Sequence, residues 1–97
     1  MVAVYFVIVD SEINDPEGLE SVSDSLAEMV RAHGGKYLIR GGPIEPKGGD
    51  LAVNRMAVVE FESMDQVTAL FEVDAFVELR EQRSRLTDTS AFVVEGV

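Results

Sequence analysis

This sequence of 97 residues has no cysteine and no tryptophan, and it has a single histidine. Without thiols the chain cannot form disulfides, zinc–thiolate sites or iron–sulfur clusters, and it has no cysteine nucleophile. One histidine also disfavours metal sites that need several imidazoles. Motifs for dinucleotide binding, phosphate loops and serine hydrolases are absent as well. We therefore expect no metal site and no cofactor.

Basic residues are scarce. Eight Lys and Arg stand against 18 Asp and Glu, which gives a net charge of −10 and a pI near 4.3. Such a surface repels duplex nucleic acid and anionic membranes. The longest apolar run, 2–9, is far shorter than the roughly 20 residues of a membrane helix, and it lacks the flanks of a signal peptide. We expect a cytoplasmic protein with neither nucleic acid nor membrane as a partner.

The composition is that of a globular protein, with 46% apolar and 27% charged residues, and its length suits one domain over 1–97. Residue patterns predict strands at 2–9, 36–40, 55–61 and 91–95. Helices are predicted from Pro16 to the glycines at 34–35, from about 63, and over about 74–86. This order favours a ferredoxin-like βαββαβ fold, in which both crossovers cover one face of an antiparallel four-stranded sheet.

The strands are apolar on both faces. An antiparallel sheet with one face in water would instead alternate apolar and polar residues along each strand. In the first strand, two sets of apolar residues alternate and point to opposite faces. One set is Val4, Phe6 and Ile8, and the other is Tyr5, Val7 and Val9. Helices cover only one face, so the other would leave a large apolar patch in water. We predict a homodimer formed through that sheet face. The alternative is that the C-terminal segment folds back over it.

Arg40 interrupts an apolar strand and is followed by Gly41 and Gly42. An arginine beside two glycine amides could clamp a carboxylate or phosphate of a small anionic molecule. The alternative is a glycine bulge with Arg40 paired to a structural acid. Arg55 begins the next strand, and a hairpin would bring it close to Arg40.

His33 is either a general base at the mouth of a cleft or a helix-terminal residue that complements the helix dipole. Tyr5 and Tyr37 either donate hydroxyl hydrogen bonds to a ligand or pack as core aromatics. The basic group Arg80, Arg83 and Arg85 lies among acids. It is predicted on a solvated helix surface or an ion-paired dimer edge.

Several short motifs recur together in one known family. They are Asp15-Pro16-Glu17-Gly18, Ala32-His33-Gly34-Gly35-Lys36-Tyr37-Leu38, Arg40-Gly41-Gly42-Pro43 and Val58-Val59-Glu60-Phe61-Glu62-Ser63-Met64. In their order and spacing they resemble the bacterial domain of unknown function 1330 family, a member of the dimeric α+β-barrel superfamily. The resemblance implies a ferredoxin-like protomer and a barrel-shaped dimer. It implies no particular reaction.

Three hypotheses about function follow. The first is a dimer that binds a small anionic molecule, with Arg40, Arg55 and His33 lining the site. The second, taken from the resemblance to other barrel proteins, is a cofactor-independent enzyme, isomerase or monooxygenase-like, acting on a small organic acid. Proton transfer by His33 and an oxyanion held by Arg40 would be its mechanism. The third is a structural or interaction module without a ligand.

Overall fold

The computed structural model describes residues 2–97, which form four strands and three helices. In chain order they are β1 (Val4–Ile13), α1 (Pro16–Ala32), β2 (Lys36–Arg40), β3 (Arg55–Phe61), α2 (Met64–Phe71), α3 (Asp74–Ser84) and β4 (Thr87–Glu95). The strands make one antiparallel sheet in the order β2-β3-β1-β4. The predicted ferredoxin-like α+β fold is confirmed.

Local signals place the ends of α1. The Asp15 carboxylate accepts a hydrogen bond from the Gly18 amide at 3.0 Å, and Pro16 occupies the first turn, where its missing amide hydrogen costs nothing. After the helix, Gly34 adopts a φ of +89°, a left-handed conformation that glycine reaches without strain. The chain can then enter β2 directly.

The strands β1 and β4 are longer than the sequence predicts. Beyond a bulge between Asp10 and Glu12, polar residues continue the ladder, with Glu12 opposite Asp88 and Ile13 opposite Thr87. The Thr87 hydroxyl also donates to the carbonyl oxygen of Glu12 at 2.6 Å. Each polar segment forms a strand because it pairs with the other one. A prediction based on apolar residues therefore misses both segments.

The helices bury one side of the sheet, which we call the inner face. Its core side chains are Val4, Phe6, Val59 and Phe61, packed with Leu26, Val30, Val67, Leu70 and Phe76 from the helices. Each of these side chains is buried. Of the two alternating sets of β1, the one that contains Val4 and Phe6 therefore faces the helices.

The opposite side of the sheet, the outer face, is apolar and uncovered by any described residue. Phe92 and Val94 are 53% and 48% exposed, and Tyr5, Val7 and Val58 are half-buried beside them. The C-terminal end does not fold over this face. Instead the Gly96 amide donates to the carbonyl oxygen of Ala3 at 2.8 Å and extends the sheet.

Among residues 2–97, no helix combines the length and the apolar character needed to cross a membrane.

Candidate functional site

A cavity of about 160 Å³ lies between α1, α3 and the inner face. Its apolar wall includes Phe6, Ile8, Leu26, Val30, Ala57 and Phe76, and its polar wall includes Ser23, Tyr37, Arg40, Arg55, Arg80 and Arg83. Four of the six arginines in the sequence therefore line one cavity. No aspartate or glutamate among the described residues lines it.

Arg40 and Arg55 reach the cavity from adjacent strands. Arg40 lies opposite Ala57 in the β2–β3 ladder, and Arg55 precedes Ala57 by two residues, so both side chains share the inner face. Their partners are one turn apart on α1: Asp24 at 2.5 Å from Arg40 and Glu20 at 3.3 Å from Arg55. Both carboxylates are 63% exposed. Such pairs are weak, so a ligand anion can compete for these guanidinium groups.

Arg83 is engaged differently, in a buried bidentate pair with Asp10. Its two terminal nitrogens lie 2.8 and 2.6 Å from the two carboxylate oxygens, and one of them also lies 3.0 Å from the Thr89 hydroxyl. The side chains are 9% and 1% exposed. The prediction of a solvated surface or a dimer edge was wrong for Arg83. It lies two turns after the buried Phe76, on the same side of α3, and this spacing was the signal available in the sequence.

Arg80 has no carboxylate within salt-bridge distance among residues 2–97. Its guanidinium carbon lies 4.8 Å from the centroid of the Phe71 ring and 6.0 Å from that of Phe76, which are cation–π distances. Burial lowers the pKa of Arg80 from its usual range, and the charge of Arg83 lowers it further. Arg80 is thus the cavity arginine that no acid in the described chain neutralises.

Tyr37 lies among the arginines. Its ring centroid is 5.5 Å from the guanidinium carbon of Arg31 and 5.6 Å from that of Arg40. Burial raises the pKa of the Tyr37 hydroxyl above its usual value, although the positive charges of Arg40, Arg31, Arg83 and Arg55 oppose the rise. The hydroxyl therefore stays protonated near neutral pH and can donate a hydrogen bond.

Ser23 is the polar residue that sequence reasoning missed. It is 8% exposed on the buried side of α1, and its Oγ has no hydrogen-bond partner among the described residues. A buried hydroxyl without a partner is rare in folded proteins. The signal available in the sequence was its spacing, since Ser23 lies four residues after Leu19 and three before Leu26, on the buried side of α1.

Two of the predicted site residues lie away from this cavity. His33 follows α1 as its C-cap and lines no described cavity; its Nδ1 lies 3.0 Å from the carbonyl oxygen of Met29. Tyr5 lies on the outer face, where its hydroxyl donates to the Glu60 carboxylate at 3.3 Å. Neither residue is brought together with Arg40.

Gly41 and Gly42 line a second, more open cavity of about 430 Å³, which shares Arg40 and Arg55 with the first. Both glycines have positive φ angles, 72° and 105°. The Gly41 amide donates to the carbonyl oxygen of Met56 at 2.9 Å, so the sheet has already used that donor. Of the predicted ligand-binding set, the cavity between α1, α3 and the inner face unites Arg40, Arg55 and Tyr37.

No cluster of three histidine, aspartate or glutamate side chains suited to a metal ion occurs in residues 2–97.

A family model described as domain of unknown function (DUF1330) matches residues 4–97. The chain belongs to the DUF1330 family. The resemblance found in the short motifs is therefore confirmed. No curated protein matches the sequence.

Solved structures share the fold of this DUF1330 protein at low sequence identity. SnoaB, a cofactor-independent oxygenase from Streptomyces nogalater, has a TM-score of 0.75 at 13% identity and covers 100% of this chain and 95% of its own. The RPA0582 protein of unknown function from Rhodopseudomonas palustris has a TM-score of 0.74 at 11% identity, covering 99% and 83%. A dimeric ferredoxin-like protein of unknown function from Thermobifida fusca has a TM-score of 0.68 at 12% identity, covering 99% and 91%. These TM-scores show a shared fold alone.

Proposed function

We propose that this DUF1330 protein is a homodimer that binds a small organic anion in the cavity between α1, α3 and the inner face. The observation that carries the proposal is the gathering of four of six arginines, and no acid of the described chain, around one cavity. The protein as a whole carries a net charge of −10. Three of these arginines are paired with carboxylates and Arg80 is not, so the cavity keeps a positive charge within a negative protein. Such a cavity attracts a small anion locally while the rest of the surface repels polyanions.

The dimer part of the proposal rests on the outer face. If about 600 Å² of apolar surface per subunit were covered, at about 25 cal/mol per Å² the gain would be about 15 kcal/mol before the costs of association. The likeness to a Thermobifida fusca protein described as dimeric also supports self-association. Light scattering after gel filtration should give twice the protomer mass of 10.6 kDa. A monodisperse species of the protomer mass would disprove the dimer.

A second candidate is a cofactor-independent enzyme acting on a small organic acid, because SnoaB, with the same fold, is a cofactor-independent oxygenase. We rank it second because no histidine, aspartate or glutamate among the described residues, the side chains that most often act as general bases, lines the cavity. The predicted base, His33, lies elsewhere. Consumption of a bound acid during incubation with the purified protein would favour this candidate over simple binding.

The anion site is tested by thermal shift with a panel of small carboxylic acids, their neutral amides and inorganic phosphate. We expect acids to raise the melting temperature and the matching amides not to do so. The double variant Arg40→Gln/Arg55→Gln should lose at least half of the shift, because it leaves the carboxylates of Asp24 and Glu20 unpaired at the edge of the cavity.

The matched control is Lys36→Gln/Lys47→Gln, which removes the same charge from two exposed residues that line neither cavity. The control should keep the full shift. The proposal is overturned if no anion raises the melting temperature, or if both double variants respond equally.

A further inference from the structure

The size of the cavity limits what it can hold. An apolar cavity of about 150 Å³ lined by leucine, isoleucine and phenylalanine accommodates one benzene molecule. The present cavity is about 160 Å³, and its wall includes Phe6, Leu26 and Phe76. A space of this size suits one six-membered ring.

The apolar wall favours an aromatic ring. Phe6 and Phe71 meet edge to face with centroids 5.3 Å apart, and Phe71 and Phe76 lie 5.2 Å apart at an interplanar angle of 60°. Phe6 and Phe76 both line the cavity. A ligand ring placed between them would extend this tilted aromatic array, a geometry that stabilises aromatic pairs beyond the area they bury.

Arg80 supplies the charged end of the site. The guanidinium groups of Arg40, Arg55 and Arg83 each have a carboxylate within 3.3 Å, and Arg80 has none among residues 2–97. One unneutralised cation matches one negative charge. Arg80 also packs on the rings of Phe71 and Phe76, so a carboxylate bound to it lies next to the aromatic wall.

Ser23 supplies a second polar contact. Ser23 lines the cavity, and its Oγ is buried and has no hydrogen-bond partner among the described residues. Around it, the buried side of α1 is apolar, with Leu19, Leu26, Ala27 and Val30. An oxygen substituent on the ring of a bound ligand can satisfy this hydroxyl, which a hydrocarbon ring cannot do.

We propose that the cavity binds the anion of an aromatic acid with a single six-membered ring, its carboxylate on Arg80 and a ring hydroxyl on Ser23. The proposal rests on the proposed function, which requires only that some small anion binds here. The aromatic-acid proposal adds that the ligand has one ring and one negative charge, and that Arg80 and Ser23 bind its carboxylate and its ring hydroxyl.

Titration calorimetry on the wild-type protein tests the ligand class. The probes are benzoate, 3- and 4-hydroxybenzoate, benzamide, 2-naphthoate, acetate and inorganic phosphate. We expect benzoate to bind at least tenfold more tightly than benzamide, acetate, phosphate or 2-naphthoate. One of the hydroxybenzoates should bind several-fold more tightly than benzoate, because its hydroxyl reaches Ser23.

Two variants test the residues, with circular dichroism confirming that each is folded. Arg80→Gln should weaken benzoate binding at least tenfold, because a charge-assisted contact is lost. Its control, Arg85→Gln, removes the same charge from an exposed arginine that does not line the cavity, and it should bind as wild type does. Ser23→Ala should keep the affinity for benzoate and abolish the advantage of the hydroxybenzoate.

The two proposals fail in different ways. If acetate or phosphate binds as tightly as benzoate, or if Arg80→Gln and Arg85→Gln bind benzoate equally, the aromatic-acid proposal is overturned and the anion site stands. If no probe binds the wild-type protein, both are overturned. If the hydroxybenzoates keep the same affinity in Ser23→Ala, the role assigned to Ser23 is wrong.

Discussion

The two faces of the sheet differ in where they carry charge and exposed apolar surface. The inner face lies under the helices and still carries ionised side chains, including the pair of Asp10 and Arg83, whose side chains are 1% and 9% exposed. The outer face is open and apolar, with Phe92 and Val94 about half exposed. Soluble proteins normally bury apolar residues and leave charges in water.

The different placement of charged and apolar residues indicates that the two faces have different roles. Charges are retained beneath helices only when they are paired or have something to bind, because an isolated buried charge is strongly disfavoured. A large apolar surface that the protein's own chain leaves uncovered usually marks a site where another molecule binds. The inner face therefore carries the candidate site, and the outer face carries the proposed association. Alternation along β1 separates them, since neighbouring residues point to opposite faces.

The largest effect is expected from breaking the buried pair of the inner face. Asp10→Ala leaves the Arg83 guanidinium buried without its carboxylate, and loss of one partner of such a pair destabilises a protein by about 3–5 kcal/mol. Urea denaturation should show this loss in the free energy of unfolding. Wild type and variant are compared at one protein concentration, because the stability of the proposed dimer would depend on that concentration.

The matched control is Asp24→Ala, which breaks the exposed pair with Arg40. Its carboxylate is 63% exposed, so we expect a loss of no more than about 1 kcal/mol. Equal losses in the two variants would show that the pair of Asp10 and Arg83 is as well solvated as the exposed pair of Asp24 and Arg40. The description of the inner face as carrying a buried charge pair would then be wrong.

The next effect concerns the outer face. Phe92→Asp places a carboxylate in the middle of the proposed interface on both subunits, and we expect the dimer to weaken by about 100-fold or more because unpaired buried charges are costly. Sedimentation over a concentration series measures the change. Leu51→Asp is the control, since Leu51 is 80% exposed and lies outside the strands. It should leave the mass unchanged, and a Phe92→Asp protein that stays dimeric would remove the outer face from the interface.

The smallest effect is the titration of Tyr37 on the inner face. Burial raises its pKa above the usual value of about 10, so the folded protein holds this proton more tightly than the unfolded chain does. Its contribution to stability is complete below about pH 10 and is lost as the pH rises through the higher folded value.

Absorbance of tyrosinate measures this directly, because the chain has two tyrosines and no tryptophan. In Tyr5→Phe the remaining signal belongs to Tyr37, and its midpoint should lie above 10 in the folded protein and near 10 in urea. A folded midpoint at or below 10 would mean that the arginines around the hydroxyl outweigh its burial. Tyr37→Phe should lose the component with the raised midpoint.

Much of the architecture was predictable from local features. Asp15 and Pro16 begin α1 by hydrogen bonding and backbone restriction that depend on neighbours a few residues away. The two apolar sets of β1 predicted an inner and an outer face because strand geometry fixes the alternation. The polar ends of β1 and β4 were missed, since they pair only with each other.

The candidate site was predicted in part. Arg40, Arg55 and Tyr37 were chosen as charged or polar residues within strands, and the structure brings them to one cavity. The pattern assigns Arg83 to a surface because α3 has little apolar patterning, although its spacing from Phe76 places it on the buried side of the helix. Arg80 is exposed, as predicted, and still lines the cavity. His33 was chosen for its chemistry alone.

The sequence by itself determined the order of the elements, the ends of the helices and the apolar character of both faces, because each depends on contacts within a few residues. Only the tertiary structure decided that Arg83 meets Asp10, 73 residues away in the chain. It also decided that Arg80 and Ser23 share a cavity without partners of their own among residues 2–97. Such features depend on how α1 and α3 pack over the sheet, and no local pattern encodes which distant side chains that packing brings together.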